Sequence, residues 1–343
     1  MTETIRLAQV GIGYWGKNLL RNFAAIDGVE IAMACDQRES ILAGVANQFP
    51  GVQTTSIYED LLGSPDVDAI VIATETPQHA PLAEQALRAG KHVFVEKPMA
   101  QTSDDARTLV QLAADRDLRL MVGHLLLYHP AFRFVEDLVR GGGLGDVYYL
   151  YSQRVNLGIV RKQENAFESL APHDISLALQ FIDAAPVGVS ANGAAYLQPG
   201  VQDVVFATIH FEGGKMANLH TSWLDPHKIR KVTVVGSRKM AVIDDVAASE
   251  KVRLYDKGVD VSRAGYADYV EAMTLRSGDI NIPKITMTEP LRMECEHFVD
   301  CVRRGATPRS DGQNGLAVVE IMEAANKSLA TGGILVPIRS GTD

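Results

Sequence analysis

The chain has 343 residues, 46% of them apolar and 22% charged. These values give room for two domains and exclude a disordered or collagen-like chain. With 33 basic against 42 acidic residues the formal charge is −9, which argues against nucleic acid as the main partner, because phosphate binding needs a basic surface. No run of roughly 18 apolar residues marks a membrane span. The opening Met1-Thr2-Glu3-Thr4 lacks the basic region and cleavage site of an export signal. Cys35, Cys295 and Cys301 form no CxxC pair and no metal-ligand spacing, which fits buried thiols in a cytoplasmic protein with no metal site.

In chain order, Ile5–Val10 is a short apolar run that predicts a buried strand. Gly11-Ile12-Gly13-Tyr14-Trp15-Gly16 follows, and Lys17–Ala25 then has helical spacing. A G-x-G-x-x-G between a strand and a helix is the dinucleotide-binding arrangement: Gly11 permits the tight turn, Gly13 the approach of a pyrophosphate, and Gly16 close packing of helix on strand. The anion then rests on the free N–H groups of the helix N-terminus. A second strand, Val29–Cys35, leads into Asp36 and Gln37. An acid there accepts hydrogen bonds from ribose hydroxyls and repels a 2′-phosphate, which favours NAD, although Arg38 leaves some tolerance for NADP.

The alternation continues with a helix about Arg38–Phe49, strands at Val52–Ser56 and Ala69–Thr74, a helix Pro81–Ala89, and strands His92–Val95 and Leu118–Val122. Strands alternating with helices mean a parallel sheet, whose ligands sit at the carboxyl ends of the strands. The segments there are Thr74–His79, Glu96-Lys97-Pro98 and Gly123-His124. From about Gly145 the pattern changes. Val147–Asn156, Pro186–Leu197, Val204–Phe211, Met216–Trp223, Lys231–Gly236, Met240–Asp245 and Lys251–Tyr255 read as strands with short turns, so antiparallel pairing is expected. Leu291–Arg304 and Leu316–Leu329 read as closing helices. The expected fold is α/β: an N-terminal Rossmann domain over residues 1–125 and a C-terminal α+β domain over 126–343 with a large, mostly antiparallel sheet. A terminal helix is free to pack back on the first domain.

Glu96-Lys97-Pro98 at a strand end, with Ala73-Thr74-x-Thr76-Pro77-x-His79 before it, resembles the signature of the Gfo/Idh/MocA oxidoreductases. Ala171-Pro172-His173-Asp174-Ile175-Ser176 is similar to that family's substrate-domain histidine motif. Glu289-Pro290-Leu291-x-x-Glu294-Cys295-x-x-Phe298 and Pro308-Arg309-Ser310-Asp311-Gly312 extend the likeness over nearly the whole chain. The resemblance implies a nicotinamide-dependent dehydrogenase, with Thr74, Thr76 and His79 over the nicotinamide side, and homodimers or homotetramers built through the open face of the large sheet. Many members carry an acid four residues before the motif histidine; Ser169 stands there, with Glu168 beside it, leaving Glu168 or Asp174 to orient the imidazole. Val122–Ala131, Arg154-x-Asn156-Leu157-Gly158-x-x-Arg161 and Ser222–Lys231 most resemble the branch that oxidises the C3 hydroxyl of UDP-N-acetylglucosamine ahead of an aminotransferase.

Oxidising a secondary alcohol needs a hydride acceptor, a base for the hydroxyl proton and a positive donor for the developing alkoxide. NAD supplies the first, and Lys97 and His173, one from each domain, are the candidates for the others. A histidine of ordinary pKa near 6.5 is largely neutral at cytoplasmic pH and can accept the proton, but residue order does not say which of the two is the formal base. Glu96 is expected to touch the cofactor ribose or buttress the turn, and Asp174 to serve either the substrate or a helix start. His124 is expected either to line the cleft or to play a structural part. A UDP-sugar calls for cations at its diphosphate. Arg154, Arg161, Lys228, Arg230 and Lys231 are available, and strand alternation puts Arg154 and Asn156 on one face. Tyr128 and Trp223 can stack on sugar or uracil, or simply fill the core. Two alternatives stand beside the UDP-sugar: a free polyol such as an inositol, and a non-catalytic NAD-responsive regulator.

Overall fold

The computed structural model describes residues 4–158, 160–162, 164–261 and 273–338. The chain divides into two units, Met1–Tyr128 with Thr288–Glu320, and His129–Met287 with Ile321–Asp343.

The first unit alternates strand and helix. It comprises β1 (Ile5–Val10), α1 (Gly16–Ala24), β2 (Val29–Cys35), α2 (Glu39–Gln48), β3 (Gln53–Thr55), α3 (Tyr58–Gly63), β4 (Ala69–Ile72), α4 (Thr76–Arg88), β5 (His92–Val95), α5 (Ser103–Asp115) and β6 (Leu120–Val122). All neighbouring strands pair in parallel, in the order β3-β2-β1-β4-β5-β6. This is the doubly wound order whose reversal beside β1 opens a crevice at the carboxyl edge. Both faces are covered, and the central strand β4 is apolar throughout, with all four residues buried. The helix expected at Pro81 starts instead at Thr76. Pro77 lies in its first turn, where a missing N–H costs nothing, and Pro81 then removes only one internal hydrogen bond. Late in the chain α8 (Pro290–Arg304) returns to this unit. Its Phe298 packs edge-on against Phe23 of α1 and Phe94 of β5, with centroids 6.1 and 5.7 Å apart.

The second unit contains α6 (Pro130–Arg140), β7 (Val147–Val155), α7 (Ala166–Phe181), β8 (Pro186–Ala194), β9 (Val204–Phe211), β10 (Met216–Ser222), β11 (Ile229–Gly236), β12 (Met240–Asp244), β13 (Val252–Val261), β14 (Met273–Asn281) and β15 (Val336–Pro337). The helix α9 (Gly312–Ala330) runs from the first unit into the second. The nine strands order as β14-β13-β12-β11-β7-β10-β9-β8-β15. Every pair is antiparallel except β7 with β10. Alternation turns Leu150, Ala217, Leu219, Ala207 and Ile209 into the core. It leaves Tyr149, Tyr151, Phe206 and Met216 exposed on the other face, and α7 packs on β7, β9 and β10. One reading of residue order puts a helix start at Asp174. The helix begins at Ala166, because Asn165 and Glu168 form a reciprocal capping box there. Pro172, His173 and Asp174 therefore lie inside the helix.

Candidate active site

The glycine-rich turn is held rigidly. Gly11 has φ +84°, and a Cβ there would sit 2.6 Å from the Ala73 carbonyl oxygen, so only glycine fits. A Cβ on Gly16 would come within 2.2 Å of the Gly11 oxygen. Gly13 differs: the nearest atom to its Cβ position is Arg38 Nη2 at 3.7 Å, which leaves its backbone open to an approaching pyrophosphate. Gln9 fastens the turn from below, its Nε2 donating to the Gly11 oxygen at 3.1 Å and the Gly16 oxygen at 2.8 Å. That role was overlooked in residue order, although a glutamine inside a buried parallel strand is itself a signal. Replacing Gly16 by alanine is expected to cost about 1–3 kcal/mol through overpacking and to weaken NADH binding, both readable by calorimetry.

Asp36 closes the cradle. Its Oδ2 accepts from Ile12 N at 2.9 Å and Arg38 Nη2 at 2.8 Å, and its Oδ1 from Arg38 N at 3.0 Å and Nε at 2.8 Å. The Arg38 side-chain bonds, with the two backbone donors, outweigh burial and hold the Asp36 carboxyl down at about 2. Because the folded value lies below the ordinary one, the stabilisation is complete above about pH 4 and is lost as pH falls through about 2. Urea titrations of wild type and Asp36→Asn are expected to differ by roughly 2 kcal/mol at neutral pH and to converge towards pH 2. Arg38 is more than half exposed, so of the two side chains it is the one with room to move. Gln37 and Tyr14 are exposed.

At the end of β5, Glu96 is half-buried. Its Oε1 accepts from Trp15 Nε1 at 2.5 Å and its Oε2 from Lys97 N at 3.2 Å. Burial pushes its carboxyl up to about 7 against the pull of Trp15 and Lys97. The carboxyl group also lies over Gly123, whose Cβ would come within 3.0 Å of it. Glu96 thus ties the strand end to the glycine-rich turn, the buttressing alternative. Lys97 and Thr76 are half-buried.

Other expected ligand contacts are enclosed. His79 is buried, with its ring nitrogens 2.8 and 3.2 Å from the carbonyl oxygens of Pro98 and Thr74. It braces the turns on either side rather than offering an edge to a ligand, and burial holds its pKa below the usual value. His124 is fully buried, and desolvation, then Lys97, pulls it down to about 3; it fills the interior rather than lining a cleft. Tyr128 is buried too, its hydroxyl 3.1 Å from Ser310 Oγ, so it is core rather than a stacking platform.

In the second unit, α7 presents a half-buried His173. Of the two carboxylates considered for orienting it, Glu168 is committed to Asn165 N and Asn326 Nδ2, each at 2.8 Å. Asp174 accepts from Arg154 Nε at 2.7 Å and Nη2 at 3.0 Å. This fork is buried, with Arg154 5% and Asp174 1% exposed. It corrects two expectations: Arg154 is neutralised rather than open to a diphosphate, and Asp174 is an interior ion-pair partner rather than a substrate contact or helix-start acid. Trp223 is likewise core, at 2% exposure. Asn156 donates its N–H to the Ser222 oxygen at 3.2 Å. Arg161 lies 3.5 Å from Glu164, Arg230 3.6 Å from Asp245 and Lys231 3.3 Å from Asp244. Lys228 is exposed and makes no ion pair among the described residues.

Residues 5–124 match the oxidoreductase family with an NAD-binding Rossmann fold, and residues 132–242 match the GFO/IDH/MocA C-terminal domain. UDP-N-acetylglucosamine 3-dehydrogenase of Acidithiobacillus ferrooxidans is 29% identical over 92% of this chain and 94% of its own length. Its structure superposes with a TM-score of 0.80 over 96% of this chain and 98% of that one. Inositol 2-dehydrogenase of Rhizobium meliloti is 24% identical over 95% and 97% of the two chains. GenD2 from gentamicin A biosynthesis, solved in complex with NAD, is 23% identical and superposes with a TM-score of 0.82 over 99% of this chain and 98% of that one. No described helix is long and apolar enough to cross a membrane. With a doubly wound cofactor unit, a nine-stranded second sheet and matches along both, the chain belongs to the Gfo/Idh/MocA family of NAD-dependent oxidoreductases acting on CH–OH groups.

Proposed function

We propose that the protein oxidises the C3 hydroxyl of UDP-N-acetylglucosamine to the 3-keto sugar, for later transamination by a partner enzyme in the cytoplasm. The observation carrying this reading is the likeness to the Acidithiobacillus UDP-N-acetylglucosamine 3-dehydrogenase, which extends over 92% of this chain. In this reading residues 1–125, with α8 packed back on them, hold the cofactor, and the rest of residues 126–343 hold the sugar and assemble the oligomer. The exposed Tyr149, Tyr151, Phe206 and Met216 face of the large sheet is the surface for assembly.

Bound NAD supplies the hydride acceptor. Lys97 and His173 manage the hydroxyl proton, one receiving it and the other steadying the alkoxide as the C–H bond breaks. Asp36 takes the ribose, and the Gly11–Gly16 backbone takes the pyrophosphate. With Arg154 engaged by Asp174, the diphosphate falls to Lys228 and Arg161, the latter loosely paired and more than half exposed.

That engagement also favours a second reading. A free polyol needs no buried cation, and inositol dehydrogenases resemble this chain over a similar length. Purified protein with NAD is expected to generate NADH absorbance with UDP-N-acetylglucosamine, most strongly when an aminotransferase removes the ketone. If UDP neither binds nor raises the melting temperature, and myo-inositol or scyllo-inositol is turned over instead, the nucleotide-sugar assignment is wrong.

A further inference from the structure

A second carboxyl group is buried in the cofactor unit beside Glu96. Glu294 stands on α8, one helical turn before Phe298, so the two share a face. Phe94 and Glu96 are two residues apart at the end of β5 and likewise share a face. The ring contact of Phe94 with Phe298 at 5.7 Å joins those two faces, and Glu294 lies within reach of the Glu96 charge. Glu294 has no exposed surface, and neither of its carboxyl oxygens has a hydrogen-bonding partner among the described residues.

An ionised carboxylate so enclosed, next to a second one, would carry the full cost of desolvation and like-charge repulsion. The two groups are unequally equipped to be the anion. Glu96 has two N–H donors, from Trp15 and from the Lys97 backbone, and is only half-buried. Glu294 has none. We propose that Glu294 is held as the neutral acid and donates its O–H to the Glu96 carboxylate, making it the positioning residue that fixes Lys97 and the Trp15 end of the glycine-rich turn. Burial and the neighbouring Glu96 charge both drive Glu294 towards its protonated form. The other groups around the pair are Lys97 on the Glu96 side and Tyr128 and Cys295 on the Glu294 side. This role rests on the assignment of Lys97 and the Gly11–Gly16 turn to the reaction.

Two readouts need no sugar substrate. The infrared difference spectrum, wild type minus Glu294→Gln, is expected to contain the C=O stretch of a protonated carboxylic acid that persists at about pH 8 to 9, above the Glu96 value of about 7. A difference containing carboxylate bands instead overturns the proposal. NADH affinity, read by fluorescence, is expected to remain within about threefold of wild type in Glu294→Gln, whose amide still donates. It should fall roughly tenfold or more in Glu294→Leu, which cannot. Wild-type affinity in Glu294→Leu, or equal losses in both variants, contradicts a neutral donor. Should Glu294→Leu fail to fold, the infrared comparison decides alone. With the true substrate, kcat is expected to follow the same order. A failed sugar assignment leaves both substrate-free readouts standing.

Discussion

Asp174→Ala is expected to destabilise the second unit by about 3–5 kcal/mol, because it strands the Arg154 guanidinium in the interior. Arg154 and Asp174 are 5% and 1% exposed and are joined by two hydrogen bonds. Burial pulls the Arg154 pKa down, and Asp174 more than offsets it. Removing one partner leaves the full desolvation cost with nothing to balance it. Replacing both, as Arg154→Met with Asp174→Leu, is expected to cost far less, since an apolar pair of similar volume carries no such penalty. Urea unfolding followed through the buried Trp223 reports on this unit. Equal losses in the single and double variants would mean that shape, not charge, sets the value of the pair. A drop in sugar affinity in the double variant without loss of stability would return Arg154 to a direct role in binding.

Lys97→Ala is expected to lower kcat by about 10²–10⁴-fold, the range for removing a group that handles a proton in the transition state. Calorimetric NADH affinity should change by less than about tenfold, since in the proposed reading Gly11–Gly16 and Asp36 hold most of the dinucleotide. His173→Ala is expected to produce a comparable loss in kcat and to leave NADH binding untouched. The split matters: if Lys97→Ala weakens NADH as much as it slows turnover, the lysine only holds cofactor. Unchanged turnover in both variants would remove the proton-transfer scheme altogether.

Residue order announced the cofactor unit well, since its signals are local. A strand, a glycine turn, a helix and an acid follow one another within Ile5–Asp36, and each is imposed by backbone geometry over a few residues. The strands of the second sheet were also readable, because alternation marks a half-exposed strand wherever it pairs. The start of α7 was not, for Pro172 imitates a helix opening while the Asn165–Glu168 cap is spelled by two ordinary polar residues. The long strand β14 (Met273–Asn281) was also missed: its charged and glycine residues hide the period, and pairing with β13 makes it a strand.

The side chains divide along the same line. The tight turn at Gly11 and the close helix packing at Gly16 could be read from order alone, because they depend on neighbours in the chain. Arg154, Asp174, Tyr128, Trp223, His79 and His124 could not. Each is a plausible ligand contact as a residue type, and each was drawn into the interior by a partner or a packing surface distant in sequence. Charge pairing and burial are properties of three-dimensional neighbours. They decided that Arg154 faces Asp174, that Gln9 braces the turn, and that Glu294 shares an interior with Glu96. Residue spacing carries none of that information, since the energy of a charge depends on what replaces the water around it.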